Sequence, residues 1–350
     1  MTWRGPALDP DSRDLATMLD ALAEDRNVVL TDDAAVVAAL VKELAGLGVW
    51  TVGVAEEHGG GGADRRVTAV ALERLGRNWP ALGWAATQAH AAVDVLGGDD
   101  RFTDLVADVH AGEAAVAVVD SASLHVRLTR SEGSLTGCVD RVDAAAEAPY
   151  LLVLTGNDRA VLVAPDACTA TPLRRTGLGG AFTRSVGVEP RPRQLTEVRG
   201  VDVAAARRRL RFGTAAVAAG IAGAAADAAA SYAADRRQFG GPLTALATVR
   251  YSLLGQATRT AAALALAVAA DDDDVQALAA AREACDAAVD VAAAALQSHG
   301  GYGYLTEYPA ERYLRDAVSL RAAADIQGAA VTTARTLVGL EPDDEPRGKE

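Results

Sequence analysis

Three successive stretches, roughly residues 203 to 234, 243 to 270 and 274 to 298, consist largely of alanine, and that bias narrows the fold more than any other feature of the chain. Alanine loses no side-chain entropy in a helix, so each stretch predicts a long helix. Its small side chain also lets helix backbones approach closely, as a tight four-helix assembly or a subunit interface requires. The acidic run Asp271 to Asp274 reads as a solvated turn whose last members favour the start of the next helix. Hydrophobic residues make up 50% of the chain and aromatic residues only 4%, which again favours packed helices over a sheet of bulky side chains.

From Asp11 to Leu96 apolar residues recur at helical spacing, as in Leu15, Met18, Leu19 and Leu22, then Val37, Leu40, Val41 and Leu44. The segment GVAEEHGGGGADRR interrupts them, because four consecutive glycines, Gly59 to Gly62, cost too much backbone entropy for a helix interior. No strand precedes these glycines and no Lys-Ser or Lys-Thr pair follows, so a loop between helices is preferred to a phosphate cradle. Between about Ala114 and Arg199 the period changes: AVAVVD, LHVRLTR, LLVLTG and AVLVAP are short apolar runs separated by turn residues, and they predict a small antiparallel β domain. The expected chain is mostly α with a small β domain. It comprises an N-terminal helical domain over 1–112, a middle antiparallel β-barrel or sandwich over 113–200, a C-terminal four-helix bundle over 201–340, and a flexible tail over 341–350.

Net charge is −13 and no basic block is present, the opposite of what a surface tracking nucleic-acid phosphates needs. The first twenty residues lack the basic-then-apolar order of a signal peptide, and no run of about 18 uncharged apolar residues follows. A cytoplasmic location without a membrane span is therefore expected. Cys138, Cys168 and Cys285 are far apart and have no metal-type spacing, so neither a disulfide scaffold nor a zinc site is expected.

On this frame, ADRRQFGGPLTAL at 234–246 and QSHGGYGYLTEYPAERYLRDA at 297–317 resemble the C-terminal signatures of acyl-CoA dehydrogenases. ELAGLGVWTVGVAEEHGGGG at 43–62 is similar to that family's helix-turn segment before its Gly-Gly loop, and ALERLGR at 71–77 to the helix that follows. The resemblance spans nearly the whole chain, strongly at the C-terminal motifs and weakly through the β domain. It implies an FAD-dependent α,β-dehydrogenation of an acyl-CoA thioester in lipid metabolism, an electron-transferring flavoprotein as acceptor, and a dimer or tetramer. By the same resemblance Arg236 grips the cofactor pyrophosphate in two-pronged fashion, Gln238 lies beside it, Phe239 packs near the dinucleotide, and Gly240 permits the reversal into a helix begun by Pro242. Gln297, Gly300 and Gly301 match a motif that approaches the same cofactor from a neighbouring subunit, glycine leaving room for backbone amides to face phosphate. Arg211 matches a helix arginine that contacts the acyl-CoA. Its alternative is a surface charge in the cluster Arg207, Arg208, Arg209 and Arg211, which could also attract coenzyme A phosphates.

The chain departs from the family where proton abstraction is done. Members remove the α proton with a glutamate, placed either in a Tyr-Glu-Gly-Thr stretch, where this chain has Ala324, or on the helix before the Arg211 position, where it has Leu210. Asp325 is the nearest substitute, shorter by one methylene and turned by about 100° on a helix. The β domain reads AVAVVDSASLHVRL and TGCVDRVDAAAEAPY, without the family's Thr-Glu-Pro, Gly-Ser-Asp or Trp-Ile-Thr motifs, and Ala247 stands near the place of a usual glutamine. Three readings follow: a subunit that pairs with a homologous, base-bearing chain; a self-sufficient dehydrogenase that uses Asp325; or a flavin-free module that binds acyl-CoA or a protein.

Overall fold

A computed structural model describes residues 2–131, 134–189, 194–270 and 273–340. The expected tail at 341–350 and the first half of the acidic run, Asp271 and Asp272, lie outside the described residues. The N-terminal helices are α1 (Pro10–Arg26), α2 (Ala34–Gly46), α3 (Arg65–Asn78), α4 (Pro80–Leu96) and α5 (Thr103–His110). Asp9, Asp33 and Asp64 accept hydrogen bonds from otherwise unpaired N–H groups in the first turns of α1, α2 and α3. α3 ends at Trp79 and α4 restarts with Pro80 as its first residue, where a missing N–H leaves no bond unmade.

Eight strands follow: β1 (Val116–Asp120), β2 (Val126–Ser131), β3 (Ser134–Val142), β4 (Tyr150–Thr155), β5 (Arg159–Val163), β6 (Cys168–Pro172), β7 (Arg184–Val188) and β8 (Leu195–Arg199). They form two four-stranded sheets, ordered β1-β4-β5-β8 and β2-β3-β7-β6. The expectation of a purely antiparallel domain is corrected in one place. β1 and β4 are parallel, Val116 standing opposite Tyr150, because after β1 the chain makes the β2–β3 hairpin in the second sheet before it returns to the first.

The alanine-rich stretches become α6 (Val203–Asp235), α7 (Ala247–Ala269), reached through the two-residue strands β9 (Arg237–Gln238) and β10 (Gly241–Pro242), and α8 (Asp274–His299). Two shorter helices, α9 (Ala310–Ala323) and α10 (Ile326–Leu337), complete the described chain. Asp273 caps α8 by accepting from the Gln276 N–H at 2.8 Å, as the acidic run suggested. α6 is the central post, packed against α3, α4, α7, α8 and α9. Its length and apolar character would suffice to cross a membrane, yet it is mostly buried inside the protein. The approach to α3 is backbone to backbone: a Cβ at Gly220 would stand 2.2 Å from the Glu73 carbonyl oxygen. Beside that contact Glu73 is fully buried and accepts from Arg77 Nε at 2.6 Å, while Arg77 Nη1 donates to Asp227 of α6 at 2.7 Å, so the charge carried into the core is paired there.

Candidate functional site

A cavity of about 100 Å³ opens where β1, the N-terminal part of α6 and the junction of α9 with α10 meet. Trp84 of α4, Val118, Val139, Ala323 and Ile326 give it an apolar lining. Leu210 and Ala324, the two positions where the resemblance would put a glutamate, both face it, so the place for a base is present and its usual carboxylate is not. Gln88, buried on α4, fixes the wall: its amide donates to the Asp143 carbonyl at 2.6 Å and its oxygen accepts from the Val118 N–H at 3.0 Å.

Asp325 lies on the same wall, in a left-handed backbone conformation (φ 43°) between α9 and α10. One carboxylate oxygen accepts from Ser123 Oγ at 2.5 Å. The other accepts from the Gly328 N–H at 3.2 Å, capping α10, and stands 3.6 Å from His125 Nε2. Ser123 and His125, both cavity-lining, escaped the sequence reading. The visible signal was a histidine two residues beyond a serine in the loop that replaces the expected Gly-Ser-Asp.

The arginine cluster is already engaged. Arg207 pairs with Asp120 at 2.7 Å, Arg208 with Asp274 at 3.3 Å, and Arg209 with Asp94 at 2.8 Å. Burial opposes charge on Arg207, but the hydrogen bond and charge of Asp120 outweigh it and hold its pKa above the ordinary value. Arg211 is buried in the cavity wall, where Nη1 donates to the Asp274 carbonyl at 3.1 Å and Nη2 to Thr333 Oγ1 at 3.0 Å. Burial lowers its pKa from the ordinary value, with Asp274 opposing. The structure thus places Arg211 beside an acyl-sized space but away from solvent, where coenzyme A phosphates would lie. On the β-domain side, Arg141 Nε pairs with Asp143 at 2.6 Å and its Nη2 reaches the Ser319 carbonyl at 3.1 Å.

A second site lies at the other end of α6. Tyr232 stacks on buried His299 with centroids 4.4 Å apart, and Tyr308 meets both rings edge-on. Arg236, the C-cap of α6, sits with its guanidinium carbon 4.7 Å from the centre of the Tyr302 ring, and among the described residues it has no carboxylate partner. Gln297 lies in the last turn of α8 nearby and its carbonyl accepts from the Gly300 N–H. A Cβ at Gly300 or Gly301 would meet nothing within 4 Å, so their backbone faces open space. The short β9–β10 hairpin turns at Phe239 and Gly240, both with positive φ (53° and 85°), which is the geometry of a type I′ turn. Phe239 is 86% exposed there, and Gln238 is exposed beside it. An aromatic residue in that conformation costs of the order of 1–3 kcal/mol, a strain that marks positions under functional constraint.

The stacking of Arg236 on Tyr302 brings Arg236 and the turn at Gly300 together on one face of the chain. From Arg211 to Arg236 the helix runs about 37 Å, at roughly 1.5 Å per residue, farther than an extended dinucleotide can bridge between its ring and its diphosphate. A guanidinium with no carboxylate partner among the described residues, beside two unobstructed glycines, fits a diphosphate.

Comparison with known proteins agrees with this fold. Residues 10–97 match the family model "Acyl-CoA dehydrogenase, N-terminal domain" and residues 199–324 match "Acyl-CoA dehydrogenase, C-terminal domain". An acyl-CoA dehydrogenase of Bacillus subtilis is 30% identical over 317 residues, covering 79% of this chain and 83% of the relative. Butyryl-CoA dehydrogenase from Megasphaera elsdenii superposes with a TM-score of 0.79 at 22% identity, covering 97% of this chain and all of the other. A glutaryl-CoA dehydrogenase from Mycobacterium smegmatis, solved with FADH2, superposes with a TM-score of 0.76 at 17% identity, covering 96% of each chain.

Proposed function

Since the chain belongs to the acyl-CoA dehydrogenase family, whose members are FAD-dependent, we propose that it is one subunit of an oligomer that dehydrogenates an acyl-CoA thioester between its α and β carbons. Its contribution is the Arg236 end of α6, lent to an FAD whose ring lies in a homologous, base-bearing partner subunit. The observation that carries this reading is the contrast between the two ends of α6. One end keeps an arginine with no carboxylate partner among the described residues, beside two open glycines; the other has a cavity of about 100 Å³ with Leu210 and Ala324 in place of glutamate.

Bound FAD supplies the hydride acceptor. Arg236 neutralises diphosphate charge with a planar fork that lysine cannot reproduce, and stacking on Tyr302 holds the fork in place. Gly300 and Gly301 let the backbone approach the phosphates. Phe239, exposed on its strained turn, covers the dinucleotide or the partner surface. Electrons leave to an electron-transferring flavoprotein. A self-sufficient enzyme is the second reading, favoured by the Asp325 carboxylate on the cavity wall.

Co-expression with a homologous, glutamate-bearing subunit separates these readings. A yellow complex that reduces an artificial acceptor with acyl-CoA, while the chain alone stays colourless, is expected. A colourless homo-oligomer whatever the partner contradicts the proposal and leaves a flavin-free binding module. Yellow colour and activity in the chain alone, abolished by Asp325→Asn, would establish the second reading instead.

A further inference from the structure

The cavity lacks its glutamate but holds another proton acceptor. We propose that His125 is the acid–base residue of this chain's own cavity, exchanging a proton at the carbon α to the carbonyl of a short acyl thioester, with Asp325 as its positioning residue. The inference rests on the acyl-thioester reading above, but not on flavin or a partner subunit.

The imidazole belongs to the loop between β1 and β2, lines the cavity, and is half exposed, so a ligand can reach it. Its Nε2 faces the Asp325 carboxylate at 3.6 Å, and among the described residues Nδ1 has no hydrogen-bond partner. A carboxylate on one ring nitrogen steadies the ring and offsets the charge that appears when the other takes a proton. Asp325 is itself held from two sides, by Ser123 Oγ and by the Gly328 N–H, and the first of these bonds joins it to the loop that carries His125. Asp325 keeps this position in a left-handed backbone conformation that side-chain-bearing residues seldom adopt. Aspartate is among the few residues that both tolerate that backbone and cap a helix, so the cap accounts for the residue type, and the inference rests on where the carboxylate stands, between the Ser123 hydroxyl and the His125 ring. Room for about 100 Å³ on an apolar floor admits a short aliphatic acyl group.

The step balances without an oxidant. The α C–H bond breaks, its proton passes to His125 Nδ1, and the electron pair moves onto the thioester oxygen as an enolate. The same nitrogen then returns a proton to carbon. Asp325 from the α9–α10 junction faces the imidazole, and the other charged groups lining the same cavity are Asp120 and Arg207, paired to each other across β1 and α6, Arg211 from α6, and Arg141 from β3.

The test uses the purified chain with butyryl-CoA in deuterated water, following loss of the α-proton signal by NMR. His125→Gln, at a half-exposed position, should keep the circular dichroism of the native protein and slow exchange by at least about a hundredfold, the usual contribution of a general base. Asp325→Asn retains the helix cap, so a merely structural role predicts no change, whereas a positioning role slows exchange while butyryl-CoA binding by calorimetry is kept. Unchanged exchange in His125→Gln overturns the proposal. Butyryl-CoA that binds by calorimetry without exchanging also overturns it while leaving the thioester reading intact; failure to bind any thioester sinks both.

Discussion

His90 is enclosed between α4 and the turn at Gly53, its Nε2 accepting from the Gly53 N–H at 3.0 Å and its Nδ1 donating to the Ala86 carbonyl at 2.7 Å. Burial, first among the causes, pushes its pKa down to about 4, below the 6.5 of an unfolded chain. A depressed pKa of this kind contributes stability that is complete above about 6.5 and is lost as pH falls toward about 4. The shift corresponds to about 3 kcal/mol. Urea unfolding at neutral pH and near pH 4 should show the native chain losing about 3 kcal/mol more than His90→Gln; equal losses would remove His90 as the acid-sensitive group. None of this was legible in the sequence, because a histidine on an apolar helix face reveals its charge state only once its two neighbours are known. Asp325 was legible as the carboxylate nearest the family's base position. Its hydrogen bonds to Ser123 and Gly328 and its contact with His125 were not, since two of those partners lie some two hundred residues away in a loop whose path no periodicity encodes.

Among the elements, α6 determines the arrangement, and small residues let it do so. At Gly220 an added methyl would lie 2.2 Å from the Glu73 carbonyl oxygen, a backbone atom that cannot swing aside. Gly220→Ala should therefore destabilise the protein by about 1–3 kcal/mol, even though alanine is the better helix former by about 1 kcal/mol. Thermal unfolding checks the sign: a variant as stable as the native chain would mean that α3 and α6 are not in backbone contact. The long helices were legible because alanine bias and capping aspartates are local signals, and both survive packing. The parallel pairing of β1 with β4 was not, because strand direction depends on a crossover through the other sheet. The aromatic cluster of Tyr232, His299, Tyr302 and Tyr308 was equally hidden, its members being gathered from α6, the end of α8 and the turn beyond.

At the scale of the molecule, the length of α6 is the controlling quantity. Arg211 and Arg236 are about 37 Å apart along it, so on the proposed reading one chain would not supply both the ring pocket and the diphosphate grip of the same cofactor. Closed association of like or homologous subunits would then bring the Arg236 end of one protomer to the cavity end of another. On that reading Arg236, without a carboxylate partner among the described residues, would be needed for cofactor retention but not for assembly. The most direct measurement is the flavin content of the co-expressed complex carrying Arg236→Gln, read from its absorption spectrum beside its mass by light scattering. The account predicts native mass and subunit ratio with the flavin lost; a complex that keeps its full flavin would contradict it.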